Sequence, residues 1–189
     1  MRLKEDFFTL PATELAPKLL GKYICRKVDS GELVNGEENA ACGFLKRDGG
    51  SLILRARITE TECYYGYDDT ASHASRGKTP RSAVMFGQGG LAYVYLCYGI
   101  HELFNIISGT DGHPEGVLIR GVLGANGPGK LTKFLGIGRE FNGENLASSD
   151  RLWIEDGEAP EKILTSARIG IDYAEKKDRE RLWRFLSNI

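Results

Sequence analysis

The clearest signal along this chain is a two-residue alternation that switches on and off. The run Leu52–Tyr64 is rich in β-branched residues and follows the period of a strand. Leu54, Ala56, Ile58, Glu60, Glu62 and Tyr64 are predicted to share one face, which begins apolar and ends in two carboxylates and a ring. Leu91–Cys97 repeats the pattern and puts Tyr93, Tyr95 and Cys97 on one face. Tyr98-Gly99 then turns the chain, with the glycine expected to supply the positive φ, and Leu103–Ile107 returns as the second arm of a hairpin. Tyr23–Cys25, Gly116–Leu123 and Leu152–Ile154 read as further strands. Helical spacing appears at Leu15, Leu19 and Leu20, closed by Gly21, and Pro17 predicts a short helix that starts near it or bends there. Thr79-Pro80 is the start signal for a short helix over Ser82–Phe86, and Leu131–Leu135 predicts another. From Val28 to Gly50 the chain is polar and rich in glycine, so Glu32–Arg47 is expected to be a peripheral excursion.

Composition narrows the class. A chain of 189 residues, 41% hydrophobic, can bury one sizeable core, and the expectation is a single domain over residues 1–189. The balance of 25 basic against 26 acidic residues gives no global attraction to nucleic acid. The charges are uneven, however, and Arg55, Arg57, Arg76, Lys78, Arg81, Arg120, Lys130 and Lys133 allow a local basic face. Cys25, Cys42, Cys63 and Cys97 lack the spacing of a zinc or iron–sulfur site, and two of them sit in strands as small hydrophobes would. No apolar run reaches membrane-span length and the N-terminus lacks a signal-peptide core, so no membrane and an intracellular, reducing setting are expected.

The candidate chemistry lies between Arg57 and Ile107. Glu60, Glu62 and Tyr64 end a strand as if it opened into a pocket; taken alone, their spacing also fits a strand end that reaches water. An aromatic at a hairpin tip, Tyr98, has nothing of its own to pack against and has the character of a wedge. His73 lies in the polar loop between the strands, where a turn residue satisfied by its neighbours is the more common outcome. Arg120 interrupts an apolar run and needs a partner, either a structural carboxylate or an anionic ligand. Gly124, Gly129 and Lys130 meet the spacing of a phosphate-binding loop, but Leu131 replaces the magnesium-binding hydroxyl and Pro128 removes an N–H, which argues against nucleotide hydrolysis. A helix start there still offers Lys130 and backbone N–H groups to one phosphate.

The blocks Glu60-Thr61-Glu62-Cys63-Tyr64, Ser72-His73, Thr79-Pro80-Arg81, Met85-Phe86, Tyr93 to Gly99, Asn105-Ile106, Gly127 to Leu131 and Ala167 to Ile171 occur in one order. Together they resemble the signature of the alkyladenine (3-methyladenine) DNA glycosylase family over nearly the whole chain. The resemblance implies a mixed α+β domain with a central, largely antiparallel curved β-sheet and peripheral helices. It implies a base-excision-repair enzyme that flips alkylated or deaminated purines out of double-stranded DNA and hydrolyses the N-glycosidic bond. In that reading Glu62 activates the water, Tyr64 and Tyr95 sandwich the flipped base, His73 contacts it, and Asn105 excludes purines with a 2-amino group. Tyr98 intercalates, and Arg120 and Lys130 meet the DNA. No metal or cofactor is implied, the protein acts as a monomer, and hydrolysis without strand cleavage is expected because no lysine adjoins Glu62 in the sequence. Two rival classes are a non-enzymatic nucleic-acid-binding module and a nucleotide-binding enzyme built on Gly124–Thr132.

Overall fold

A computed structural model describes residues 1–28, 46–48 and 51–188. Among these described residues ten strands form one sheet: β1 (Tyr23–Val28), β2 (Lys46–Asp48), β3 (Ser51–Tyr65), β4 (Ala92–Cys97), β5 (His101–Ile107), β6 (Glu115–Val122), β7 (Ala125–Asn126), β8 (Leu152–Glu155), β9 (Ile163–Ser166) and β10 (Arg184–Ser187). The main path runs β4-β5-β6-β3-β1-β8, and each pairing is antiparallel. β3 is the spine. Its first half pairs with β1 and β2, and its second half with β6 on one side and β10 on the other, with β9 beyond. The sheet is curled, and the helices α1 (Glu5–Phe8), α2 (Ala12–Lys18), α3 (Pro128–Leu135) and α4 (Lys176–Arg179) lie at its periphery, the mixed α+β arrangement expected. The excursion expected at Glu32–Arg47 lies outside the described residues, apart from the backbone of Lys46 and Arg47.

The core occupies one face of the sheet. α2 and α3 pack there against β3, β5 and β6, burying Leu15, Leu19, Leu20, Leu131 and Leu135 with Ile58, Phe104, Ile106, Val117 and Ile119. Pro17 sits in the last turn of α2, not near its start: the helix begins at Ala12 behind Pro11, so only the end of the ladder meets the ring. α3 starts at Pro128, earlier than apolar spacing implied, because proline in the first turn gives up an N–H that has no partner inside the helix anyway. The expected helix over Ser82–Phe86 is a single 3-10 turn, Ala83–Phe86. Thr79 does cap the preceding turn, its Oγ1 accepting the Ser82 N–H at 3.2 Å.

One departure from the alternation decides the function of β3. Its register against β6 shifts between Ile58 and Glu60 and again between Glu60 and Thr61. Ile58 and Cys63 both belong to the core although they are an odd number of residues apart, and Thr61, also buried, donates to the Ala16 carbonyl of α2. Glu62 and Tyr64 therefore do not share a face with Leu54, Ala56 and Ile58. They are turned to the opposite side of the sheet, away from the helices.

Candidate active site

On that opposite face the strand registers line up one residue from each of five strands. Tyr93 pairs with Asn105, Asn105 with Leu118, Leu118 with Glu62, and Glu62 with Arg184. A second row sets Ile107 beside Gly116 and Gly116 beside Tyr64. The missing side chain at Gly116 leaves a hollow floor between two larger neighbours. Over it stand His73 and Met85 from the two 3-10 turns after β3, and Tyr173 from the C-terminal segment, enclosing an inner pocket of about 40 Å³. Tyr64, His73, Tyr95 and Tyr173 also line a wider cleft of about 630 Å³, which continues past Tyr98, Arg120 and Lys130.

Glu62 is fully buried. Its Oε1 accepts the Ile169 N–H at 2.8 Å and lies 3.5 Å from the Arg120 Nε, while Oε2 accepts the Tyr64 hydroxyl at 3.0 Å. Burial pushes the Glu62 carboxyl above the usual carboxylate range, and Arg120, Ile169 and Tyr64 pull it back in part. The result is a carboxylate of raised basicity, the property a general base needs, held directly behind Tyr64, which lines both the pocket and the cleft. Burial, with the Glu62 carboxylate beside it, keeps the Tyr64 phenol protonated and hence a donor.

The segment that supplies the Ile169 N–H is fixed by a buried fork. Arg168 donates from Nη1 to Asp69 Oδ2 at 2.6 Å and from Nη2 to Asp69 Oδ1 at 2.8 Å, with the Cys63 carbonyl taking another bond at 2.8 Å. Its guanidinium also lies 4.7 Å from the Tyr64 ring centroid. The charged run Glu175–Arg181 also reaches the interior. Asp178 within it is buried and accepts the Thr70 hydroxyl at 2.6 Å, pinning the loop that leads to His73.

Three further predicted residues meet at the pocket. His73 Nδ1 is 3.0 Å from the Tyr93 hydroxyl, and its ring meets Tyr95 edge to face at 4.6 Å. Arg81 lies over the Tyr95 ring at 4.9 Å. Asn105 is buried, lines the pocket, and spends one N–H on the Tyr93 carbonyl at 3.1 Å. Tyr98 is 89% exposed at the tip of the β4–β5 hairpin. Not only Gly99 but Tyr98 itself has positive φ, at 50°, because the two are the central residues of a turn closed by the Ile100 N–H on the Cys97 carbonyl at 3.2 Å, and a I′-type turn needs both of them left-handed. Lys130 is exposed at the start of α3, beside the same cleft.

A family model described as methylpurine-DNA glycosylase matches residues 42–124 and 123–188. The chain belongs to this family. It is 38% identical over 203 residues to a provisionally named 3-methyladenine DNA glycosylase of Methanocella arvoryzae, covering 97% of this chain and 90% of the relative. A relative of the same provisional name from Anaeromyxobacter sp. (strain Fw109-5) is 40% identical over 194 residues, with 98% and 88% covered. One from Borreliella burgdorferi (strain ZS7) is 38% identical over 192 residues, with 95% and 92% covered.

Within this methylpurine-DNA glycosylase fold the sequence left several residues at or behind the cleft without a role. Arg168, Ile169 and Tyr173 lie more than 100 residues from Glu62 in the chain, so no local period ties them to it. Arg184 shows only as one polar position in a short apolar tail. Arg120 found a structural carboxylate: its Nε donates to Glu60 at 3.0 Å. Among the described residues no group of three His, Cys, Asp or Glu could hold a metal ion, and no helix is long and apolar enough to cross a membrane.

Proposed function

We propose that the chain is a single-domain DNA glycosylase that releases alkylated or deaminated purines, 3-methyladenine among them, from duplex DNA. The observation that carries this reading is Glu62: a fully buried carboxylate of raised basicity beside a pocket walled by Tyr64, Tyr95 and His73. A non-enzymatic binding module has no use for such a group, whose burial costs stability. A target base inside a duplex cannot reach this recess, so the nucleotide leaves the stack. Tyr98 fills the gap, and the base seats between Tyr64 and Tyr95. The inner pocket at about 40 Å³ holds little more than water, so its walls part as a purine enters from the wider cleft.

The chemistry then follows from charge. The C1′–N9 bond breaks with its electron pair going to the purine; for an N3- or N7-alkylated base this cancels the positive charge and releases a neutral molecule, whereas neutral hypoxanthine leaves as its anion and takes one proton from solvent. Water oxygen bonds to C1′, its proton passes to Glu62, and the carboxylate stabilises the oxocarbenium-like sugar in between. Aromatic walls favour a cationic, electron-poor ring. Asn105 crowds a 2-amino group and so turns away guanine. Lys130 takes a backbone phosphate at the start of α3, whereas the Nε of Arg120 is committed to Glu60 and only its terminal nitrogens remain for DNA. The enzyme acts as a monomer inside the cell. Among the described residues no lysine lines the inner pocket to form a Schiff base, which favours hydrolysis without strand cleavage.

The test is release of free base from duplexes carrying 3-methyladenine, 7-methylguanine, hypoxanthine or ethenoadenine, with the product strand analysed before and after alkali. The expected result is free purine and an abasic strand that breaks only on alkali treatment. Binding to lesion duplex with no release from any of the four would assign the chain to the binding-module class.

A further inference from the structure

Glu62 is not the only carboxylate on this face. Two residues earlier, where the register of β3 slips, Glu60 accepts Nε of Arg184 at 2.6 Å and Nε of Arg120 at 3.0 Å, both on Oε1. Arg120 in turn stands 3.5 Å from Glu62 Oε1. All four side chains are largely removed from solvent. They come from three strands, β3, β6 and β10, and Arg184 is the register partner of Glu62 itself. The order is alternating: Arg184, Glu60, Arg120, Glu62. A fully buried acid at one end of a line of alternating charges responds to every charge along it, because the surroundings screen poorly.

We infer that Glu60 and Arg184 are positioning residues for the glycosylase reaction, holding Arg120 against Glu62 and setting the charge that Glu62 experiences. Neither touches the base. Glu60 draws the Arg120 guanidinium toward itself and offsets part of its charge, so Glu62 keeps a cationic neighbour without losing its basicity. Arg184 neutralises Glu60 from the other side and ties the C-terminal strand into the site, its Nη1 reaching Ser166 Oγ at 3.3 Å. The remaining groups facing Glu62 are the Tyr64 hydroxyl on β3 and, from the C-terminal segment, the Ile169 N–H and Arg168, whose charge is met by Asp69. Those are common to every variant below.

This inference rests on the proposed role of Glu62 as general base, and its signature is a pair of opposite shifts. Base release falls on the acid side as Glu62 takes up a proton. E60Q removes a negative charge and leaves two arginines unopposed, which lowers the proton affinity of Glu62. R184Q removes a positive charge and leaves Glu60 under-neutralised, which raises it. Single-turnover release of hypoxanthine from duplex, measured across pH, is expected to show the acid limb moving down in E60Q and up in R184Q, each on the order of one pH unit. R184K keeps the charge and should return the limb to the wild-type position. A purely structural role would lower the rate at every pH, or thermal stability alone, and would move both limbs alike. Limbs that stay put, or shift in one common direction, overturn the inference. A wild-type protein that releases no base, by contrast, would fault the glycosylase reading and not this one.

Discussion

His73 shows how burial becomes chemistry at a single residue. Burial, with Arg81 and Arg76 close by, holds its pKa down to about 4, so the ring is neutral wherever the enzyme works. The folded value lies below the ordinary one, so the stabilisation from a neutral His73 is present at neutral pH. It is lost as pH falls from about 6.5 toward 4. Glu62 works in the other direction, its raised value making the fold less stable as pH climbs through it. Melting temperature followed from pH 7 to pH 4 should fall in wild type and fall less steeply in His73→Gln; parallel curves would show that His73 is not the group responsible. At Asn105 the two available readings coexist, since one N–H bonds the Tyr93 carbonyl while the residue lines the pocket. Asn105→Ala should therefore cost roughly 1 kcal/mol of stability through the loss of that bond. It should also raise release of 7-methylguanine relative to hypoxanthine, which lacks the 2-amino group. An unchanged ratio would leave the asparagine with its structural bond alone.

At the scale of elements, the turn of the β4–β5 hairpin needs left-handed backbone at Tyr98, and a tyrosine bears there a strain that a glycine would not. A tyrosine held at φ 50° costs roughly 1–2 kcal/mol relative to right-handed backbone, and here the ring gains no burial in return. Tyr98→Gly is expected to raise the melting temperature slightly while weakening binding to lesion duplex, with less effect on release from single-stranded substrate. Equal losses on both substrates would point to a folding role for the tip. The hairpin was legible in the sequence because tyrosine alternation and Tyr98-Gly99 are local signals. β3 was legible in extent but not in facing. The slip at Glu60 belongs to its pairing with β6, and no period within Leu52–Tyr64 records what a strand 60 residues away imposes. The same limit hid the Arg168–Asp69 fork, whose partners are 99 residues apart, and the contact of Arg184 with Glu60 across 124. Sequence patterns report faces and caps; long-range ion pairs are settled by topology.

For the molecule as a whole, a net charge of −1 looks wrong for a DNA enzyme until the cations are placed. Arg55 is spent on Glu155 and the Tyr23 ring, and Arg57 on the carbonyls of Gly21 and Glu158, so neither contributes to the basic face that their sequence positions implied. Arg81, Arg120 and Lys130 line the cleft, with Arg76 just beyond His73. The charge is concentrated where a backbone would pass, which is what counterion release requires. The curled sheet thus has two different faces: helices bury one, and the other carries the buried Glu62, the aromatic recess and the exposed Tyr98. The central claim is that Glu62 acts on the bond after the base has been bound. It is tested most directly by Glu62→Gln, with single-turnover release from a hypoxanthine duplex measured beside affinity for the same duplex. The expected result is a loss of release by at least about a hundredfold, the contribution of a general base, with affinity unchanged or tighter. Release at a near-wild-type rate would contradict the account.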